Sequence, residues 1–222
     1  MKPFRITEIF STIQGEGSRA GSPAVFIRFT GCNLWSGIEE KRGSGKGECA
    51  RWCDTFFAKG ERFSIQDVFE VVCELTKEWK NPFVVISGGE PMLQLKRPEG
   101  IELLQKLKEI RGLEVAIETN GTVTGDVLKS LNHITVSPKA IPSSPGTSHV
   151  KVRSGADLKV IVPGYWSEKD LLEFSTWDFD NFYFQPKDTG DSGASSICVA
   201  VEMSEKYGWR VSFQTHKYAG LP

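Results

Sequence analysis

From residue 83 onward, short apolar runs alternate with stretches of helical periodicity. Phe83-Val84-Val85-Ile86 is a continuous apolar run, as expected of a strand buried on both faces in a parallel sheet. Residues 101–111 (IELLQKLKEIR) carry apolar side chains at 101, 104 and 107, with 103 and 110 nearby. That spacing predicts a helix, and Gly112 fits its C-terminal stop. The same reading gives strands at 115–117, 134–136, 158–162, 181–184 and 209–213, and helices near 125–131, 167–174 and 194–206. Upstream, Ala24–Phe29 reads as the first strand of the series, and an alternating segment precedes it. Ser64 with Asp67 predicts a capped helix whose apolar face is Val68, Val71, Val72, Leu75 and Trp79. Alternating strand and helix implies an α/β fold with a largely parallel sheet of about seven strands, curved into a full or partial barrel or left open.

The polar interruptions of this pattern share one topological place. Thr30-Gly31-Cys32, Ser87-Gly88-Gly89-Glu90-Pro91, Glu118-Thr119-Asn120-Gly121, Ser137-Pro138-Lys139, Gln185-Pro186-Lys187-Asp188 and Gln214-Thr215-His216 each follow a predicted strand. Ligands of parallel α/β folds gather at the C-terminal ends of the strands. Any one of these signatures is equally a turn, because Gly, Asn and Pro mark turns everywhere.

Composition narrows the function classes. A chain of 222 residues suits one domain with a sizeable core. Its 27 basic and 28 acidic residues leave a net charge of -1, with no basic footprint for nucleic acid and no polybasic tract for a membrane surface. No apolar run reaches the ~18 residues of a spanning helix, and the N-terminus lacks a signal peptide's apolar stretch. Cytoplasm is the expected compartment.

Five cysteines argue against a disulfide framework. Cys73 and Cys198 fall in helical patterns and are expected as small buried hydrophobes. Cys32, Cys49 and Cys53 differ, because Gly, Asn, Ser, Lys and Glu surround them in loop composition. A closed zinc site wants four ligands. Three thiolates can instead anchor an iron–sulfur cube and leave one of its four irons open to a non-protein ligand. The segment 36–49 (SGIEEKRGSGKGEC) is the most linker-like stretch of the chain, a surface loop whose ends a bound cluster would tether.

Other residues carry a plain reading beside a chemical one. The glycines at 88 and 89 let backbone approach a ligand, and Glu90 offers a carboxylate to a cationic group. The motif is not the G-x-G-x-x-G dinucleotide fingerprint. Trp52 is either a buried tryptophan or a face for a flat ligand such as adenine. Asp54 and Thr55 form a capped turn or supply oxygens to Mg²⁺. Arg28, a charge in an apolar strand, calls for a structural ion pair or a ligand carboxylate. His216 stands six residues before Pro222, whose α-carboxylate is a candidate acceptor. His133 and His149 lack ligand spacing and read as structural or surface residues.

Several motifs together resemble the 7-carboxy-7-deazaguanine synthases, a family of radical S-adenosylmethionine (SAM) enzymes. They are Glu8-Ile9-Phe10-Ser11-Thr12-Ile13-Gln14-Gly15-Glu16-Gly17, Phe26-Ile27-Arg28-Phe29-Thr30-Gly31-Cys32-Asn33-Leu34-Trp35-Ser36 and Cys53-Asp54-Thr55. The strand-end signatures above and the Gly220-Leu221-Pro222 ending agree, so the likeness spans nearly the whole chain. It implies a single domain over 1–222, a partial (β/α) barrel of the radical SAM type with a shortened core and a cluster-binding insertion at about 33–60. It implies a carbon–nitrogen lyase that converts 6-carboxy-5,6,7,8-tetrahydropterin to 7-carboxy-7-deazaguanine by radical ring contraction with release of ammonia, on the route to queuosine.

Residue by residue, the resemblance gives Cys32, Cys49 and Cys53 to a [4Fe-4S] cluster. SAM falls to Trp52, Cys53, Asp54, Gly89, Glu90, Ser137, Pro138, Lys139, Gln185, Pro186, Lys187 and Asp188. The substrate falls to Ile13, Gln14, Gly15, Glu16, Arg28, Ser87, His216 and Pro222, and Mg²⁺ to Thr55. No side chain is implied as a catalytic acid or base. A homodimer and an external one-electron donor such as a flavodoxin are implied as well. The spacing C-x16-C-x3-C departs from the family pattern, with Ala50 where the middle cysteine would fall, and Phe56 stands where an acidic residue is expected. Two other readings compete: a different radical SAM enzyme, such as a glycyl-radical activase, and a non-catalytic zinc module.

Overall fold

The computed structural model describes residues 2–188 and 194–222, and no candidate site residue lies outside them. The chain opens with β1 (Phe4–Ile13), doubles back as β2 (Pro23–Phe29), and reaches a short β3 (Glu61–Phe63) after the cysteine-bearing segment. There follow α1 (Ile65–Thr76), β4 (Phe83–Gly88), α2 (Met92–Leu95), α3 (Pro98–Leu107), β5 (Glu114–Thr119) and β6 (His133–Val136). The second half adds β7 (Ser154–Val162), α4 (Glu168–Phe174), β8 (Asp178–Pro186), α5 (Ala194–Tyr207), β9 (Arg210–Val211) and α6 (Thr215–Tyr218).

Among the described residues the strands form one nine-stranded sheet in the order β3-β1-β2-β4-β5-β6-β7-β8-β9. Neighbours from β2 to β9 are parallel, while β1 runs antiparallel to both β2 and β3. β3 and β9 are free edges, so the sheet is an open, partial barrel. The count exceeds the expected seven because the alternating N-terminal segment pairs as β1 and recruits β3.

The local signals explain most elements. The run Phe83–Ile86 is buried throughout, as a central parallel strand requires. At the start of α1 the Asp67 N–H donates to Ser64 Oγ at 3.1 Å, and the Ser64 N–H donates to Asp67 Oδ2 at 2.7 Å. Ser167 and Asp170 open α4 in the same way. α3 begins earlier than the periodic stretch, with Pro98 suiting the first turn, and it ends at Leu107. Gly112, at φ +74°, therefore turns the chain toward β5 rather than closing the helix. The helix expected near 125–131 is a 3-10 turn over Asp126–Ser130, and 209–213 contributes only the two residues of β9.

Two large cores lie side by side on the helix-bearing face of the sheet. One packs Phe4, Ile27, Val84, Ile86 and Ile117 against Val68 and Val72 of α1 and Leu103, Leu104 and Leu107 of α3. The other packs Leu158, Val160 and Phe184 against Leu171 and Phe174 of α4 and Ala200 of α5. Because α5 turns Ala200, Val199, Met203 and Tyr207 inward, Cys198 is exposed, and the expectation of a buried thiol fails there; Cys73 is half-buried. A third, small cluster joins Trp35, Ala50 and Phe57 beside Cys32 and Cys53. No described helix is long and apolar enough to cross a membrane.

Candidate active site

The strand ends enclose a cavity of about 640 Å³, within the range of ligand sites. It is lined by every candidate residue of the sequence analysis except Gly15, Glu90 and Pro138. The glycines at the end of β4 let Cys32 reach it. Gly88 has φ +144°, and a Cβ on Gly89 would meet Gly31 O and the Cys32 side chain. Gly15 backs the cavity: a Cβ there would collide with the His216 ring.

The cysteine segment is ordered by contacts within itself. Its chain bonds include Lys46 N to Leu34 O at 2.7 Å and Gly43 N to Ala50 O at 2.8 Å. Glu48–Arg51 is a 3-10 turn, and Cys53 N donates to Cys49 O at 2.7 Å. The x3 spacing thus places Cys49 and Cys53 one turn apart, while Ala50 goes into the small core beneath. All three thiols line the cavity, and Leu34 N donates to Cys32 Sγ at 3.4 Å. Burial pushes Cys49 up to about 12, partly opposed by the Lys139 ammonium, and burial raises Cys32 and Cys53 as well. Among the described residues no three His, Cys, Asp or Glu side chains stand close enough to share one metal ion. A cube, in which each thiolate holds a different iron, asks for wider spacing than a single zinc.

Glu48 ties the segment to the sheet. Its buried carboxylate accepts from Tyr165 N at 2.9 Å and Ala140 N at 3.3 Å, and its own N–H donates to Ala140 O at 2.8 Å. Lys139, next to Ala140, donates to Ser137 Oγ at 2.5 Å. Trp52 lies under the Lys187 ammonium at 5.8 Å. Lys217 bridges Asp54 (2.6 Å) and Asp188 (2.5 Å), joining α6 to the cysteine segment and to the end of β8. Thr55 Oγ1 lies 3.4 Å from Asp54 Oδ1, and Phe56 is exposed at the cavity wall.

The opposite wall carries the recognition groups. Arg28 Nε donates to Glu8 at 2.6 Å beneath the Phe10 ring, so the ion pair and the cavity position coexist. Gln14 Nε2 donates to Glu118 at 2.9 Å, and Gln14 Oε1 accepts from Glu16 N at 3.0 Å. Burial raises the Glu118 pKa, and the Gln14 amide and Arg28 oppose it. His216 is pulled below its usual value by burial and by the Lys217 and Lys159 ammoniums.

The chain is 39% identical over 229 residues to the 7-carboxy-7-deazaguanine synthase of Burkholderia multivorans, with 99% of each covered. It is 40% identical over 230 residues to that of Caulobacter vibrioides, again with 99% of each covered. The chain belongs to the 7-carboxy-7-deazaguanine synthase family. The crystal structure of QueE from Escherichia coli shares the fold, with a TM-score of 0.65 over 96% of this chain and 94% of that one at 24% identity. No family model matches the chain.

Within this family framework two residues take places other than those expected. Glu90 is fully buried and does not face the cavity. Its oxygens accept from Thr119 Oγ1 at 2.7 and 2.9 Å, Asn120 N at 2.7 Å and Met92 N at 3.0 Å, so it pins β4 to the end of β5 instead of meeting a cationic ligand. Burial pushes it up to about 7. Pro138 likewise lies outside the lining. Conversely, Lys159 lines the cavity although it was not singled out, and Glu118 and Gln214, named only within their strand-end signatures, line it as well. The signal for Lys159 was present: like Arg28, it is a charge inside an apolar strand. His133 and His149 are structural as expected, bonded to Asp157 (3.2 Å) and Lys139 O (2.9 Å).

Proposed function

We propose that the chain converts 6-carboxy-5,6,7,8-tetrahydropterin to 7-carboxy-7-deazaguanine with release of ammonia, in queuosine biosynthesis. The observation that carries this reading is one cavity lined on one side by three thiols and on the other by Gln14, Glu16, Arg28 and His216. Cys32, Cys49 and Cys53 fit a [4Fe-4S] cluster: they share the cavity, and Lys139 favours the thiolate form of Cys49 and Cys53. When bound, the cluster with SAM at its open iron supplies one-electron cleavage and hydrogen abstraction.

The chain's own groups bind and orient. Trp52, Asp54, Gly89, Ser137, Lys139 and the Gln185–Asp188 turn would hold SAM, with Trp52 as an aromatic face. Arg28 offers its guanidinium to the pterin carboxylate, and Glu16 accepts from ring N–H groups. His216, kept neutral by burial and its cationic neighbours, contributes a hydrogen bond rather than a charge. Ile13, Ser87 and Pro222 complete that wall, with Pro222 O accepting from Thr12 Oγ1 at 3.2 Å. Glu48 and Lys217 hold the cysteine segment beside the strand ends, which fixes the thiols at the reaction space. The reading further places Mg²⁺ at Thr55 beside Asp54, a single domain with the cysteine segment as an insertion, a homodimer, an external one-electron donor such as a flavodoxin, and a cytoplasmic location.

Anaerobic reconstitution should load about four irons per chain, and the reduced protein with SAM, Mg²⁺ and the pterin should release the deazaguanine product. A cluster-loaded, reduced sample that leaves the pterin unchanged sinks the proposal.

A further inference from the structure

Lys159 lies on β7 between buried Leu158 and Val160, and its side chain is 5% exposed. A lysine in such a place keeps its charge only with a partner. Its ion-pair partner is Glu16, on the turn after β1, itself 12% exposed. Glu16 receives more than the lysine. Its Oε1 accepts from Gln185 Nε2 at 3.0 Å, from the end of β8, and from Gln214 Nε2 at 2.9 Å, just before α6. Gln185 is held in that orientation because its Oε1 accepts from Ser212 Oγ at 3.2 Å. The turn is fixed at both sides: Gly17 N donates to Ser212 Oγ at 3.0 Å, and Ser18 N to Asp157 Oδ2 at 2.9 Å.

Three donors from three separate elements thus converge on one carboxylate that faces the cavity. A carboxylate has about four acceptor positions, so one remains for a ligand N–H. Burial alone pushes Lys159 down to about 7, and the Glu16 carboxylate against it favours the charged pair. The other ionisable groups around the pair are Arg28, Glu118 and His216 in the cavity wall and Asp157 with His133 behind the turn.

Resting on the proposed function, we propose that Lys159 is a positioning residue: it holds Glu16 ionised and aimed so that Glu16 accepts from the N–H edge of the pterin's aminopyrimidinone ring. Lys159 acts through Glu16 and not on the substrate directly.

In cluster-loaded enzyme, Lys159→Met should raise KM for the pterin by about tenfold or more, the loss expected of a charged hydrogen bond, with a much smaller change in kcat and unchanged SAM binding. Glu16→Gln and the double variant Lys159→Met/Glu16→Gln should share one KM, because the lysine has nothing left to act on. An unchanged KM in Lys159→Met, or effects that multiply in the double variant, overturns the inference. Should Lys159→Met fail to fold with its carboxylate unpaired, the double variant, which buries no lone charge, decides: recovery of folded, SAM-binding protein with a KM equal to that of Glu16→Gln supports the role, and no recovery or a further rise in KM overturns it. Wild-type enzyme that neither binds nor converts the pterin overturns the proposed function and this inference with it. Wild-type conversion beside an indifferent Lys159→Met overturns the inference only.

Discussion

Around β4 and β5 the chain is held by repetition, and between Cys32 and Phe57 it is held by a few particular contacts. Val84, Ile86, Val115 and Ile117 are interchangeable in kind, and each is buried among other buried aliphatic side chains. In the cysteine segment Trp35 meets Phe57 edge-on at 5.8 Å, Ala50 fills the space beside them, and Arg42 caps the Trp35 ring at 4.8 Å. One buried carboxylate, Glu48, ties that assembly to the sheet. The sheet can lose a methyl group and share the strain, whereas the segment rests on a small number of individual contacts, each unlike the others. Stability and cofactor retention are therefore expected to separate by region.

The largest separation should come from Cys49→Ala. It should abolish stable cluster loading, followed by the visible absorption of the reconstituted protein, while the apo protein melts as the wild type does. A variant that keeps a full cluster and activity would remove Cys49 from the ligand set. Next, Leu104→Ala should cost about 2–5 kcal/mol of global stability in denaturant melts, as cavities in packed cores do. Phe57→Ala should cost the global transition no more than about 1 kcal/mol, because the small cluster opens locally, yet it should shorten cluster retention. Equal losses of global stability from the two would erase the distinction drawn above.

Glu90 gives the sheet side a pH signature. Its folded pKa of about 7 stands above the ordinary 4.5, so the folded chain holds this proton more tightly than the unfolded chain. Its contribution to stability is then greatest below about pH 4.5, falls as pH rises to about 7, and is flat above that. The total change is on the order of 3 kcal/mol. Glu90→Gln has no proton to lose, and its melting temperature should vary less over that interval; an identical pH profile would count against the assignment. The smallest effect belongs to Arg42→Ala. Loss of its stack on Trp35 and its 3.2 Å bond to Cys53 O should leave the melting point unmoved and speed cluster loss in air.

The same division governs what the amino-acid order reveals. The parallel strands, the capped starts of α1 and α4 and the strand-end signatures are legible because each is written in neighbouring letters. Glu90 was read toward a ligand because its true partners, Thr119 and Asn120, lie about thirty positions away. The carboxylate of Glu16 was legible, but the convergence on it of Lys159, Gln185 and Gln214 depends on how β7, β8 and α6 come together. The path of residues 33–48 was opaque for a related reason: its order rests on single cross-loop bonds such as Lys46 N to Leu34 O, which have no period.

The turn at Glu48–Arg51 also bears on how such a chain drifts over generations. Positions three and four apart share a face of a helical turn, so one codon lost between Cys49 and Cys53 would keep both positions on one face, whereas one gained would not. The long gap after Cys32 is looser still, since it closes on its own small core. The short interval between Cys49 and Cys53 therefore has room to shrink by one residue, while the long gap after Cys32 is the place where length can change in either direction.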